Sequence, residues 1–235
     1  MKIVFLTSGS SHHWYFVNYL KSKNIDFDFI LSETEKISPK FEVLSELEKK
    51  IEIFEKKRWK EMINIDFKKI KFPKNINNHE SINIIRKIKP DLGIVFGTRK
   101  IEIKIFKLFK YGLINIHRGI TQEYRGIDCE LWPIYHSDLT NIGVTIHLID
   151  EQLDTGEIIK QKKIKKNKTL KCFKLRALTT ELAADLVYDF LKCFFRTKKI
   201  KSFPQNKKGR YYSFMPKSIK GILEEKLKRS LQNEL

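Results

Sequence analysis

Short apolar runs and longer stretches with apolar residues three and four apart alternate along the chain. "KIVFLT" (2–7) is a compact apolar run ending at "SGSS", and it reads as a buried first strand. In "HHWYFVNYLKSK" the period changes: Trp14, Val17 and Tyr19–Leu20 form one helical stripe, with Ser10 or Ser11 as N-cap. "IDFDFILSE" then alternates like a strand. Strand, helix, strand is the opening of a parallel α/β sheet.

The same reading carries on. Residues 41–62 are charged and helix-favouring, with Leu44, Leu47, Ile51 and Phe54 as the apolar stripe. An Asn/Pro/Lys-rich linker follows near 72–78, then an amphipathic helix over 80–90 stopped by Pro90. "DLGIVFG" (91–97) is expected as a central strand, "KIEIKIFKLF" as a short helix and "GLINIH" (112–117) as another buried strand. "CELWPIYHSD" predicts a helix with Pro133 at its first turn or a kink. "NIGVTIHLID" (141–150) predicts a strand with Val144, Ile146 and Leu148 on one face. "EIIKQKKIKK" is a further strand, and 168–195 a long helix. From Phe203 the character shifts: "NKKGRYYSFMP" reads as a basic aromatic loop, and "KSIKGILEEKLKRSL" as an amphipathic helix with Ile219, Leu223, Leu227 and Leu231 four apart. That stripe suits packing on the body or a homodimer. No internal repeat is present.

Composition refines this picture modestly. With 41% hydrophobic and 12% aromatic residues in 235, the chain has enough for one large core. Lysines interrupt every apolar run, so none reaches a membrane span, and Ile3–Leu6 is too short for a signal-peptide core. A cytoplasmic protein with no membrane partner is expected. Cys129, Cys172 and Cys193 are scattered and read as free thiols. The formal charge is +19, but the lysines are spread through the chain beside isoleucine and asparagine. This favours a compositional bias over a nucleic-acid footprint, and nucleic acid is not the expected partner.

The chemistry gathers at 115–160. "LINIH" brings Asn115 and His117 to a strand end, i and i+2, on one side of the strand. An amide and an imidazole side by side suit hydrogen bonding to an oxygen that becomes negative during acyl transfer. Asp154, in "LDTGEII" after the next strand, would orient the imidazole, favour its charged form and help take a proton from an attacking amine. The bland alternative is a hydrogen-bonding histidine and an ordinary Asp-x-Gly turn. No serine or cysteine sits in a nucleophile elbow. His117, His136 and His147 lack metal-ligand spacing, and no metal is expected.

"NIHRGITQEYRG" followed by "GVTIHLIDEQLDTGEII" resembles the formyltransferases that use 10-formyltetrahydrofolate. Their ordered pattern is Asn-x-His, a loop ending near Tyr-Arg-Gly, a Gly-Val-[Ser/Thr]-x-His strand, then Leu-Asp-x-Gly. The resemblance covers about 88–160 well and the first strand and helix weakly. It implies an α/β, Rossmann-like formyltransferase fold with a mainly parallel central sheet and a small C-terminal helical extension. The expected division is 1–200 as catalytic domain and 201–235 as basic loop and amphipathic helix. Asn115, His117 and Asp154 would be catalytic. Phe96, Gly97, Thr98, Arg99, Ile101, Ile149, Asp150 and Leu153 would hold the folate, 10-formyltetrahydrofolate being the co-substrate.

The amine acceptor is read from departures. "SGSSHHWYF" replaces the phosphate loop typical of the glycinamide ribonucleotide enzyme, and Arg118-Gly119 replaces the family's Pro-Ser. The methionyl-tRNA enzyme's C-terminal β-barrel has no counterpart in the largely helical segment after Lys165. A larger, nucleotide-linked amino sugar is therefore expected, of the kind used for surface polysaccharide. Ser8, Gly9, Ser10, His12, Trp14, Arg118, Tyr124, Arg125, Gly126 and Trp132 would contact it. Phosphoribosylglycinamide formyl transfer and a non-catalytic basic binding protein stay open as alternatives.

Overall fold

The computed structural model of the chain describes residues 1–62, 64 and 66–234. Its centre is a seven-stranded sheet built from β1 (Ile3–Thr7), β2 (Phe29–Ser32), β3 (Ile70–Lys71), β4 (Leu92–Phe96), β5 (Leu113–His117), β7 (Gly143–Leu148) and β8 (Ile158–Lys163). The spatial order is β3-β2-β1-β4-β5-β7-β8. β1 to β5 run parallel, and β7 and β8 join antiparallel at one edge. β4 is the middle strand, as its uninterrupted apolar run requires, because both faces of a parallel sheet are covered.

Alternate residues of each strand feed two apolar layers. Phe5, Ile94, Phe96 and Ile116 pack with α1 (Ser11–Ser22) and α6 (Leu175–Thr197). Val4, Leu6, Val95 and Leu113 pack on the other face, with α3 (His79–Ile88) and α4 (Ile103–Phe106). A third apolar cluster gathers α5 (Trp132–Tyr135), the start of α6 and α8 (Leu223–Glu234). Pro133 sits in the first turn of α5, where its missing N–H costs nothing.

Several local expectations change. α1 is buried at His12, His13, Trp14, Tyr15, Phe16 and Leu20, much broader than the stripe read from the sequence. α2 (Glu46–Arg58) starts later than expected, leaving Leu44 outside it and 74% exposed. The reason is a capping box: Leu47 N–H donates to the Ser45 hydroxyl at 3.2 Å, and Ser45 N–H donates to the Glu48 carboxylate at 2.7 Å. The long C-terminal helix begins at Leu175, after a 3-10 turn at Cys172–Lys174. The basic aromatic segment contains β9 (Arg210–Tyr212), which pairs in parallel with β6 (Tyr124–Gly126), a ladder the sequence reading missed. The terminal helix is split into α7 (Lys217–Lys220) and α8.

Leu223, Leu227 and Leu231 of α8 are buried on the chain's own third cluster. The stripe is thus covered within the protomer and gives no argument for a dimer. Among the described residues no helix is long and apolar enough to cross a membrane. Leu227, only 1% exposed, makes the docking testable. Leu227→Ala should cost about 2–4 kcal/mol of stability in urea unfolding, the usual scale for truncating a buried leucine. A loss below about 0.5 kcal/mol would mean that α8 is not docked in this way.

Candidate active site

The antiparallel pairing of β5 with β7 sets the site. Its register places Asn115 opposite His147 and Ile116 opposite Ile146. Asn115 and His117 share a face, so the pairing brings one amide and two imidazoles together at the strand ends. The chain then turns back from β7 through 149–157, and Asp154 reaches the same spot. Gly156 permits that return, since a Cβ there would lie 1.8 Å from the Leu148 carbonyl oxygen.

Asp154 is 5% exposed and surrounded by donors. Asn115 Nδ2 donates to its Oδ1 at 3.2 Å, and the Gly126 N–H donates to its Oδ2 at 2.8 Å. His117 Nδ1 lies 3.5 Å from Oδ2, and His147 Nε2 lies 3.5 Å from Oδ1. Burial alone would raise this carboxyl. The His117 charge and then the Gly126 N–H outweigh it and hold the carboxyl well below the usual carboxylate range. Asp154 also has left-handed backbone, φ +56°, which a non-glycine residue keeps only when its surroundings enforce it.

The enforcement comes from the C-terminal segment and from Arg125. Gln205 Nε2 donates to the Asp154 carbonyl at 3.1 Å and to the Gly156 carbonyl at 2.8 Å. Arg125 donates to the Leu153 carbonyl at 2.8 Å and to the Gly209 carbonyl at 2.7 Å.

Hydrogen bonds elsewhere fix the tautomers. His117 Nε2 donates to the Tyr124 carbonyl at 2.8 Å, which leaves Nδ1 to face Asp154. His147 Nδ1 donates to the Leu148 carbonyl at 2.7 Å, so its Nε2 accepts from Asn115 Nδ2 at 3.1 Å. Both hydrogens of the Asn115 amide are therefore engaged, and its Oδ1 is left without a hydrogen-bond partner among the described residues. The expectation that Asn115 and His117 jointly donate to one oxygen needs one of these bonds to be exchanged.

A cavity of about 640 Å³ opens over the cluster. Of the residues expected to contact ligands, Ser8, Ser10, His12, Phe96, Gly97, Thr98, Arg99, Ile101, Asn115, His117, Arg118, Gly126, Ile149, Asp150, Leu153 and Asp154 line it. Five do not. Gly9 is not on the wall, and Trp14 is core packing. Tyr124 is turned away: its hydroxyl donates to Asp138 at 2.9 Å and its ring stacks on Tyr212. Arg125 is spent on main-chain carbonyls, as above, and Trp132 packs on Tyr212 and donates to the Ser213 carbonyl.

The sequence reading missed His13, Glu33, His147, Tyr211 and Phe214, all on the wall. His147 lay in the quoted Gly-Val-Thr-Ile-His run, so its signal was available. Tyr211 and Phe214 had none beyond their aromatic, basic neighbourhood. Arg99 is tied to Glu33, to which its Nε donates at 2.9 Å and its main-chain N–H at 3.0 Å. Among the described residues no group of three His, Cys, Asp or Glu could hold a metal ion.

The depressed Asp154 carboxyl makes a stability prediction. A carboxyl with a lowered folded pKa contributes stability that is complete above its unfolded value, about 4, and lost as the pH falls through the folded value. Asp154→Asn should therefore shrink the loss of stability between about pH 5 and pH 2 relative to the parent, read from urea midpoints across that range. Parallel acid profiles for the two proteins would contradict the assignment. Gln205→Ala, which frees the Asp154 carbonyl, should raise amide hydrogen exchange across 153–157 while leaving β1 and β4 protected.

Comparison with known proteins agrees with the geometry. The family model described as Formyl transferase matches residues 1–185. The chain is 31% identical over 116 residues to a methionyl-tRNA formyltransferase of Finegoldia magna, covering 49% of this chain and 37% of that protein. It spans less than half the length of the curated relatives it matches first. The fold is similar to a sugar N-formyltransferase from Shewanella sp FDAARGOS_354, with a TM-score of 0.63 and 16% identity, covering 91% of this chain and 76% of that one. It is also similar to the formyltransferase PseJ from Anoxybacillus kamchatkensis, solved in complex with UDP-4,6-dideoxy-4-formamido-L-AltNAc and tetrahydrofolate. That match has a TM-score of 0.58 and 22% identity, covering 99% of this chain and 96% of the other. With most of its length matched by the family model, the chain belongs to the formyl transferase family.

Proposed function

We propose that the chain is an N-formyltransferase that moves a formyl group from 10-formyltetrahydrofolate to the primary amine of a nucleotide-linked amino sugar. The observation that carries the transfer is the hydrogen-bonded cluster of Asn115, His117, His147 and Asp154 beneath a cavity of ligand size. For the folate, the cavity offers main chain from 96–101 and 148–154 together with apolar side chains such as Phe96, Ile101 and Ile149. Such a slot suits a flat heterocycle with an amide edge.

In the reaction the amine nitrogen bonds the formyl carbon, the bond from that carbon to N10 of the folate breaks, and one amine proton ends on N10. Asn115 Oδ1 is an open acceptor, suited to an N–H of the attacking amine and so to aiming its lone pair. Asp154, so far depressed, is a weak base; its role is to orient the His117 ring, whose Nδ1 lies 3.5 Å from its Oδ2. His117 Nε2, released from the Tyr124 carbonyl, would supply a donor for the developing oxyanion. His147 keeps the Asn115 amide from turning over, since the reversed amide would set its carbonyl against Asp154.

For the acceptor, the support is the pairing of formamido sugar nucleotide and tetrahydrofolate in PseJ, whose length this chain matches almost fully. A second reading, methionyl-tRNA as acceptor, draws on the curated relatives and the charge of +19. Phosphoribosylglycinamide remains the small-molecule alternative.

The deciding assay follows tetrahydrofolate release from 10-formyltetrahydrofolate with a panel of 3-amino and 4-amino nucleotide sugars, glycinamide ribonucleotide and methionyl-tRNA. Turnover with a sugar nucleotide is expected; turnover only with methionyl-tRNA would overturn the acceptor and keep the chemistry. His117→Ala and Asp154→Ala should each lower turnover by roughly 10²–10⁴-fold with folate binding retained, the usual size of acid–base and oxyanion effects. Near-parental turnover in both variants would sink the enzyme reading.

A further inference from the structure

Glu33 is a buried carboxylate on the cavity wall that the transfer leaves unused. Its side chain is only 2% exposed, and it follows β2 directly, its N–H donating to the Thr7 carbonyl at 2.8 Å. A carboxylate taken out of water needs donors and opposite charge in place of its hydration. Here they come from two loops distant in sequence. The Arg99 N–H donates to Oε1 at 3.0 Å and Arg99 Nε to Oε2 at 2.9 Å, while the Ile76 N–H donates to Oε2 at 3.3 Å. In the sheet order β1 lies between β2 and β4, so the carboxylate reaches past the end of β1 to hold the turn that follows β4.

That turn runs from Gly97, in left-handed backbone at φ +69°, to the start of α4, and Thr98, Arg99, Lys100 and Ile101 all line the cavity. Residues 98–101 belong to no strand or helix, so their position depends on side chains from outside. Asn77 supplies one tie, donating to the Lys100 carbonyl at 2.9 Å and accepting from the Glu102 N–H at 2.9 Å, both at the exposed surface. The Glu33 bonds are more buried and carry charge, which makes them the stronger tie. The Arg99 side chain is spent on the same clamp: Nη1 lies 3.0 Å from the Glu35 carboxylate, and Nη2 donates to the Glu35 carbonyl at 3.0 Å. Each nitrogen of the guanidinium thus has a partner in 33–35, and Arg99 serves the cavity through where its main chain is held.

We propose that Glu33 is the positioning residue of the folate slot: it fixes the 97–101 turn where a flat ligand needs it, without touching the reacting atoms. This rests on the formyl-transfer reading for the identity of the ligand. Asn115, His117 and Asp154 are held by β5, β7 and the 149–157 return, and among the described residues they share no hydrogen bond with the clamp. Loss of Glu33 therefore changes how often the turn is in its binding position, not the geometry of the transfer. Apparent affinity falls by the fraction of molecules competent to bind, so a turn in place about one-tenth of the time weakens folate about tenfold. Saturating folate restores the turn, and turnover at saturation is kept.

The test compares Glu33→Ala, Glu33→Gln and Arg99→Gln with the parent, each as the full chain. Binding is read by calorimetry with 5-formyltetrahydrofolate as a non-reacting probe, and kinetics with 10-formyltetrahydrofolate and the acceptor that the parent turns over. Glu33→Ala should weaken the probe and raise the KM for 10-formyltetrahydrofolate about tenfold, with kcat and the acceptor KM close to parental. Glu33→Gln, which keeps one acceptor oxygen, should recover part of the affinity. Arg99→Gln should lose less than Glu33→Ala, because Glu33 goes on holding two main-chain N–H groups. Amide hydrogen exchange in Glu33→Ala should rise at Ile76 and across 98–101, stay parental in β4, and fall again when the probe is added.

Parental affinity and KM in Glu33→Ala would overturn the proposal. So would an Arg99→Gln variant that loses folate while Glu33→Ala keeps it, since the guanidinium would then touch the ligand itself. A fall in kcat as large as the rise in KM, with exchange raised throughout β4 and β5, would show a merely structural carboxylate and overturn it too. If Glu33→Ala does not fold, Glu33→Gln against the parent decides by the same readouts. A parent chain that binds neither folate would sink the formyl-transfer reading, and exchange raised only at Ile76 and 98–101 in the Glu33 variant would still support the clamp.

Discussion

A buried carboxylate governs this structure. Asp154 is 5% exposed, adopts left-handed backbone and accepts from an asparagine amide and a main-chain N–H, with two imidazoles beside it. Removing a carboxylate from water is costly unless hydrogen bonds and opposite charge replace the lost hydration. Everything around Asp154 therefore has to be in place together. The 118–126 loop must fold back so that Gly126 can donate, and β7 must keep its register so that His147 and Asn115 meet. A slip of one residue between β5 and β7 would send the Asn115 and His147 side chains to opposite faces and leave the carboxylate half satisfied.

Topology supplies that register. The parallel strands β1 to β5 need helical crossovers, and their ends gather loops at one edge, where β4 contributes the 97–101 turn. Adding β7 antiparallel to β5 breaks the pattern at the site itself. It runs His147 back alongside Asn115, so two residues 32 apart in sequence share a hydrogen bond. The cluster is thus built where the sheet changes direction, from strand residues and not only from loop residues, which gives it a rigid base.

Much of this was legible. The run lengths of 3–7, 92–96 and 113–117 mark buried strands because a parallel strand covered on both faces has no polar positions to spare. The i, i+2 spacing of Asn115 and His117 put both on one side of a strand end, the resemblance singled them out together with Asp154, and the structure brings the three together. What stayed hidden depends on distance in sequence. Tyr124, Arg125 and Trp132 carry the same chemical groups whether they bind a ligand or brace a loop, and only the positions of Tyr212, Gly209 and Leu153 show them bracing, while Trp14 packs in the core. β9 was invisible because its three residues pair with Tyr124–Gly126, a ladder that exists only after the chain has closed on itself. His147 was a different miss: the residue was quoted as part of a motif, but its role follows from cross-strand register, which no single-strand pattern contains.

The segment after Ile200 has a physical claim on the site despite lying beyond the residues matched to the family model. Phe203 exchanges main-chain hydrogen bonds with Ile158, Gln205 holds the carbonyls of Asp154 and Gly156, and the Gly209 carbonyl anchors Arg125. β9 then places Tyr211 and, just after it, Phe214 at the cavity wall. Left-handed backbone at Asp154 is held from outside its own loop, so the carboxylate's position is a property of both ends of the chain. A boundary drawn near 200 describes a change in sequence character. The hydrogen bonds run across it, and the geometry of the Asp154 cluster depends on residues from either side.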